Sequence, residues 1–118
     1  MSKFLNAFYF AFKGLSYTFR TQINFRIEVF TALGVIGLSC YLNLNTAEWL
    51  WICAAITLVL ITELANTAIE TLVDLVSPEF NPSAGIIKDI FAGLVLISAL
   101  FALLIAVLVL LPKFIHAS

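Results

Sequence analysis

Two glutamates, an asparagine and an aspartate, Glu63, Asn66, Glu70 and Asp74, stand in the mostly apolar run ELANTAIETLVD. Their spacings of three, four and four put them on one face of a helix. Carboxylates on successive turns can hold a hard divalent cation, and an asparagine between them adds a neutral oxygen ligand or a hydrogen-bond donor. Glu63 lies roughly a dozen residues before the next loop, about 17 Å back along a helix axis. A carboxylate at that depth in apolar surroundings is costly unless it faces protein, water or an ion. It marks either a functional site or a polar seam between helices. Lys88 and Asp89 stand near the start of the last apolar run, and Lys88 suits a phosphate as a point charge. Metal, phosphate and a general base beside lipid suggest phosphoryl transfer to a lipid alcohol. A proton or ion pathway through the same carboxylates fits this geometry equally.

The elements that must position these groups are helices. The chain has 118 residues, 63% hydrophobic and 11% charged. A small soluble domain needs more polar surface than this, so the composition points to an integral membrane protein. The net charge of -1 gives nothing to attract nucleic acid. Cys40 and Cys53 lie in apolar runs without metal-ligand spacing and are expected as buried small apolar residues rather than a disulfide. No secretory signal peptide is expected, since Lys3, Asn6, Lys13, Arg20, Gln22 and Asn24 interrupt the first 25 residues.

Residues 3–25 read as an amphipathic surface helix. Phe4, Phe8, Phe12, Leu15 and Phe19 recur every three or four positions, and such an aromatic stripe suits the membrane interface. Three spans follow, at about 26–44, 47–76 and 86–111. The first is uncharged only from Val29 to Leu42, with Arg26 and Glu28 at its margin. Asn43, Asn45 and Thr46 form a turn, Thr46 is the expected cap of the second span, and Trp49 and Trp51 anchor that end at the interface. SPEFNPSAG breaks the helix after Val76. Ile90–Leu111 is an uncharged run of 22 residues closed by Pro112, the clearest transmembrane segment. The expected fold is all-α: one membrane domain over 1–118, with three transmembrane helices and an N-terminal surface helix.

Lysine and arginine placement orients the chain. Lys3, Lys13, Arg20 and Arg26 precede the first span, Lys88 follows the second, and the turn between those spans has neither residue type. The N-terminus and the Ser77–Asp89 loop are therefore expected in the cytoplasm, with Lys113 and His116 outside. One rim then collects Gln22, Arg26, Glu28, Glu63, Glu70, Asp74, Lys88 and Asp89.

ELANTAIETLVD, the KDIFAG block from Lys88 to Gly93, FKGL at Phe12–Leu15 and NFRIE at Asn24–Glu28 together resemble the small bacterial membrane lipid kinases. This is the prokaryotic diacylglycerol kinase and undecaprenol kinase family, and the resemblance covers nearly the whole chain. It implies an ATP-dependent kinase of a membrane lipid alcohol, with magnesium as cofactor, working as a homotrimer with shared sites in the bacterial cytoplasmic membrane. Carried over, Glu63 is the general base for the lipid hydroxyl and Asn66 positions the reacting groups. Glu70 holds the divalent cation bridging the ATP phosphates, with Gln22 and Glu28 as the other metal-site positions. Asp74 supports that network. Lys88 binds the polyphosphate and faces the lipid substrate with Glu63, while Asp89 orders Lys88 or contacts the nucleotide. Phe10, Lys13, Phe80 and Asn81 fall at nucleotide-binding positions, and Lys3 matches a basic position of the surface helix.

Departures from the family pattern keep other readings in view. Gln22 stands where the family often has a metal-binding glutamate, and a neutral amide ligates a divalent ion more weakly. A catalytically weakened membrane binding or assembly protein on the same scaffold is the alternative, and an ion-conducting oligomer is the third. The Lys88-Asp89 pair beside the acidic helix favours a phosphate site over a channel. The NFRIE segment leans toward undecaprenol rather than diacylglycerol as the lipid.

Overall fold

The computed structural model describes residues 2–117. They form four α-helices, α1 (Lys3–Thr21), α2 (Ile23–Tyr41), α3 (Thr46–Val76) and α4 (Pro82–Ala117), with no strand among the described residues. Three of them, α2, α3 and α4, are long and apolar enough to cross a membrane. The fold is thus all-α, with an N-terminal helix preceding three spans.

Local chemistry explains where each helix begins and ends. Ser2 caps α1 by accepting a hydrogen bond from the Leu5 amide at 3.4 Å. The helix stops at Thr21, short of residue 25, because Gln22 adopts an extended conformation (φ -115°, ψ 110°) and turns the chain into α2. The turn after α2 is made by Asn43, whose φ of 56° is left-handed, a region asparagine tolerates better than most residues. Asn45, not Thr46, caps α3: its Oδ1 accepts from the Glu48 amide at 2.9 Å, while the Glu48 carboxylate accepts from the Asn45 amide at 2.9 Å. This reciprocal box satisfies two donors that the helix cannot pair internally.

α4 is longer than the apolar run suggests at both ends. Pro82 opens it, a position where the missing N–H costs nothing. Asn81 accepts from the Ser83 amide at 2.9 Å just before it. Pro112 does not end it: the helix runs on through Pro112 to Ala117. Lys113, in that added turn, pairs with Glu48 at 3.1 Å and ties it to the start of α3.

The core sits at one end of the bundle. Leu42, Leu44, Ile52, Ala55, Ile105 and Leu110 form one buried cluster, where the α2–α3 turn meets the second half of α4. α3 and α4 pack most extensively, α2 less so, and α1 touches α3 only lightly. Midway along the α3–α4 pair, the buried hydroxyls of Thr62 and Ser98 meet at 2.8 Å. Cys40 and Cys53 are free and lie on outward faces, not in the core, where a bilayer would surround them.

Candidate active site

The acidic face of α3 points toward α2 at the end of the bundle opposite the core. Glu63 is 2% exposed. Its carboxyl faces that of Glu28, on the second turn of α2, within hydrogen-bonding reach, and Glu70 is the next charge along α3. Asn66 donates from Nδ2 to Glu70 Oε1 at 3.1 Å, which leaves its Oδ1 buried without a partner. Oε2 of Glu28 is likewise buried and unpaired. Buried acceptors without donors are uncommon and costly, so two of them in one cluster indicate a place where a donor or cation is expected to arrive.

Glu28 also closes one end of an apolar groove of about 320 Å³. Its walls come from α2 (Thr31, Ala32, Val35), α3 (Ile52, Ala55, Ile56, Val59) and α4 (Ala99, Ala102, Ala106). Alanines on α4 keep that wall low. The paired carboxyls therefore sit at the head of a slot that an apolar chain can fill.

Toward the α3–α4 loop the face becomes exposed. Lys88 Nζ donates to Asp74 Oδ1 at 2.7 Å, joining the end of α3 to the start of α4. Lys88 is thus ordered by Asp74 rather than by its neighbour Asp89, which is exposed. Phe80 is 95% exposed in the connecting loop, and Asn81 is engaged in capping α4. Phe10 and Lys13 are exposed on α1. Phe10 lines a second cleft, of about 660 Å³, between α1 and α3. Gln22 occupies the α1–α2 elbow, where its Nε2 donates to Thr21 Oγ1 at 3.4 Å; no hydrogen bond joins it to Glu70. One copy of the chain therefore gathers Glu28, Glu63, Asn66 and Glu70, pairs Asp74 with Lys88 at the mouth, and leaves Phe10, Lys13, Phe80 and Asp89 facing outward.

Two contributors carry weak sequence signals. Thr67 is buried and donates to the Glu63 carbonyl at 3.0 Å, one turn along the acidic face. Arg26 reaches back across the elbow to α1, donating to Phe19 O at 2.8 Å and Arg20 O at 3.0 Å. Threonine in an apolar helix signals little by itself. The arginine's distance from the start of α2 shows its role only once the elbow at Gln22 is known.

No group of three or more His, Cys, Asp or Glu residues among those described stands close enough to cage an ion. Magnesium bound with a nucleotide needs only one or two protein carboxylates, because phosphates and water supply the rest. Glu70, with the unpaired Asn66 Oδ1 beside it, fits an ion that arrives on a nucleotide and not one held by protein alone.

Comparison with known proteins agrees with this chemistry. The family described as prokaryotic diacylglycerol kinase matches residues 9–110. A diacylglycerol kinase of Synechocystis is 41% identical over 92% of this chain, which spans only 62% of that relative's length. An undecaprenol kinase of Bacillus subtilis is 34% identical over 96% of this chain and 92% of its own. A diacylglycerol kinase of Escherichia coli is 27% identical over 87% of this chain and 84% of its own.

Proposed function

Because the chain belongs to the prokaryotic diacylglycerol kinase family, we propose that it transfers the γ-phosphoryl group of ATP to a membrane lipid alcohol, with undecaprenol preferred over diacylglycerol. The observation that carries this reading is the placement of buried Glu63 against Glu28 at the head of a groove open to lipid, with Lys88 and Asp74 at the exposed mouth. A lipid hydroxyl and a polyphosphate can approach this cluster from opposite sides, one from hydrocarbon and one from water.

Each residue then has a task. The lipid chain lies along the Ala-lined groove and presents its hydroxyl to the carboxyl pair. Glu63 takes the hydroxyl proton as the oxygen attacks the γ-phosphorus; the bond from that phosphorus to the β–γ bridging oxygen breaks, and ADP leaves. Asn66 holds Glu70 in place through its amide. Glu70, with Glu28 and Gln22 at the flanking positions, would hold magnesium, which neutralises phosphate charge when bound. Lys88, released from Asp74, meets the polyphosphate. Asp89, Phe80 and Asn81 border the nucleotide from the loop side, and Phe10 and Lys13 border it from α1.

The same proposal places the protein in the bacterial cytoplasmic membrane with its N-terminus inside, supported by Lys3, Lys13, Arg20 and Arg26 before the first span and Lys88 after the second, with no Lys or Arg in the turn between them. It works as a homotrimer whose sites are shared. The exposure of Lys13 and Phe80 in one copy supports that sharing. Gln22 is the one observation that favours a weakened enzyme, since its neutral amide hydrogen-bonds to Thr21.

Transfer of labelled phosphate from ATP to undecaprenol and diacylglycerol, both in the same lipid vesicles, tests the reading. The expected result is a higher kcat/KM for undecaprenol. Faster transfer to diacylglycerol reverses the choice of lipid and keeps the mechanism. Absence of transfer to either, with Glu63→Ala indistinguishable from native protein, overturns the kinase assignment.

A further inference from the structure

The helix that carries Phe10 and Lys13 is held almost entirely from one point. Of its described residues only Thr18 is buried. Across from it, α3 is separated by the 660 Å³ cleft, with Phe10, Gly14 and Tyr17 on one wall and Thr67 and Thr71 on the other. The elbow at Gln22 is where α1 is fixed, and the fixing groups belong to α2.

A helix leaves its last carbonyls without internal partners, and near lipid an unpaired carbonyl is costly. Gln22 N donates to Thr18 O at 2.9 Å and removes one. Arg26 Nη1 donates to the next two, Phe19 O at 2.8 Å and Arg20 O at 3.0 Å, using both of its N–H bonds. The guanidinium also lies at the negative end of the α1 dipole. Below it, the Phe19 ring meets the Phe30 ring of α2 edge-on at 6.1 Å. These contacts set the angle between α1 and α2. Phe10 lies 12 residues before the elbow, so a tilt of about 20° there would move it by roughly 6 Å at 1.5 Å per residue. Misplacement of even about 1 Å is enough to spoil a reacting geometry.

We propose that Arg26 is a positioning residue: by clamping the α1 carbonyls from α2, it fixes the angle at which the surface helix carries Phe10 along α3 at Leu64, Thr67 and Thr71, beside the acidic face. This rests on the kinase reading for its consequence in turnover, but its structural part stands apart from activity.

The test uses full-length protein in bilayer discs, with Cys40→Ser and Cys53→Ser and spin labels on cysteines placed at Asn6 and Glu79. Labelled chains are diluted with unlabelled ones, so that the distances are within one copy. Native Arg26 is expected to give one narrow distance distribution. Arg26→Gln should broaden or shift it by several ångström and raise the KM for ATP by about tenfold, with kcat changed much less. Arg26→Lys, which keeps a cation to serve both carbonyls, should restore the narrow distribution and most of the ATP affinity. An unchanged distribution in Arg26→Gln overturns the proposal, as does an equal fall of kcat and kcat/KM with no displacement of α1. Should Arg26→Gln fail to fold, the lysine variant decides: a narrow distribution supports the clamp and a broadened one overturns it. A displaced α1 in a protein whose native form transfers no phosphate keeps the clamp and removes the kinase reading.

Discussion

The two ends of the helical bundle are built on opposite terms. At the α2–α3 turn, apolar side chains interlock in the Leu42–Leu110 cluster, the Asn45–Glu48 box closes the helix start, and Lys113 pairs with Glu48. Ser39 alone is left there with a buried unpaired hydroxyl. At the other end Glu63 is buried beside a second carboxyl, Glu28 Oε2 and Asn66 Oδ1 have no donors, and Glu28 heads a groove that runs from there toward the core along Val35, Ile52 and Ala55. The first end is closed by packing and paired polar groups within the chain, Ser39 excepted. The second is chemically unfinished, which fits the site proposed for an alcohol, a phosphate and a cation. The proposed function thus separates stability from reactivity along the bundle, with the packed cluster at one end and the acidic face at the other.

That separation can be broken by substitution. The largest effect is expected from Glu63→Gln at the unfinished end: phosphotransfer should fall by about 10²–10³-fold, as for loss of a general base. Thermal unfolding in detergent should barely move, because the change removes a buried carboxylate and leaves no cavity. Next, Glu70→Gln should raise the magnesium concentration needed for half-maximal rate by about tenfold, since an amide is the weaker oxygen ligand. An unchanged magnesium requirement and rate would remove Glu70 from the metal site. At the packed end, Leu110→Ala should cost about 3 kcal/mol in unfolding by leaving a cavity, while the KM for ATP stays the same. The smallest change is expected from Gln22→Glu, a severalfold gain in apparent magnesium affinity. Equal affinities would mean that Gln22 stands away from the ion.

Much of the fold was legible because helix periodicity and apolar length are local properties. Ile90–Leu111 announces a span without any tertiary information, and Glu63, Asn66, Glu70 and Asp74 share a face by spacing alone. Helix ends were harder, because they depend on one residue's backbone or on a distant partner. The extended conformation of Gln22 ends α1 early, and Lys113 meets Glu48 from 65 positions away and holds the turn past Pro112. The site was legible in its acidic helix and less so in its pairings. Spacing could not show that Lys88 turns to Asp74 instead of Asp89, since that depends on how the loop brings α4 back to α3. Nor could it show that Arg26 serves α1, because its partners are carbonyls, which every residue has.

The most direct measurement takes Glu63→Gln and Leu110→Ala side by side in the same bilayer preparation. Both are assayed for labelled phosphate transfer from ATP to lipid alcohol and for unfolding on heating. Glu63→Gln is expected to lose transfer and keep its unfolding temperature, whereas Leu110→Ala should keep transfer at low temperature and unfold earlier. Retention of native transfer by Glu63→Gln would contradict the assignment of the chemistry to the acidic end.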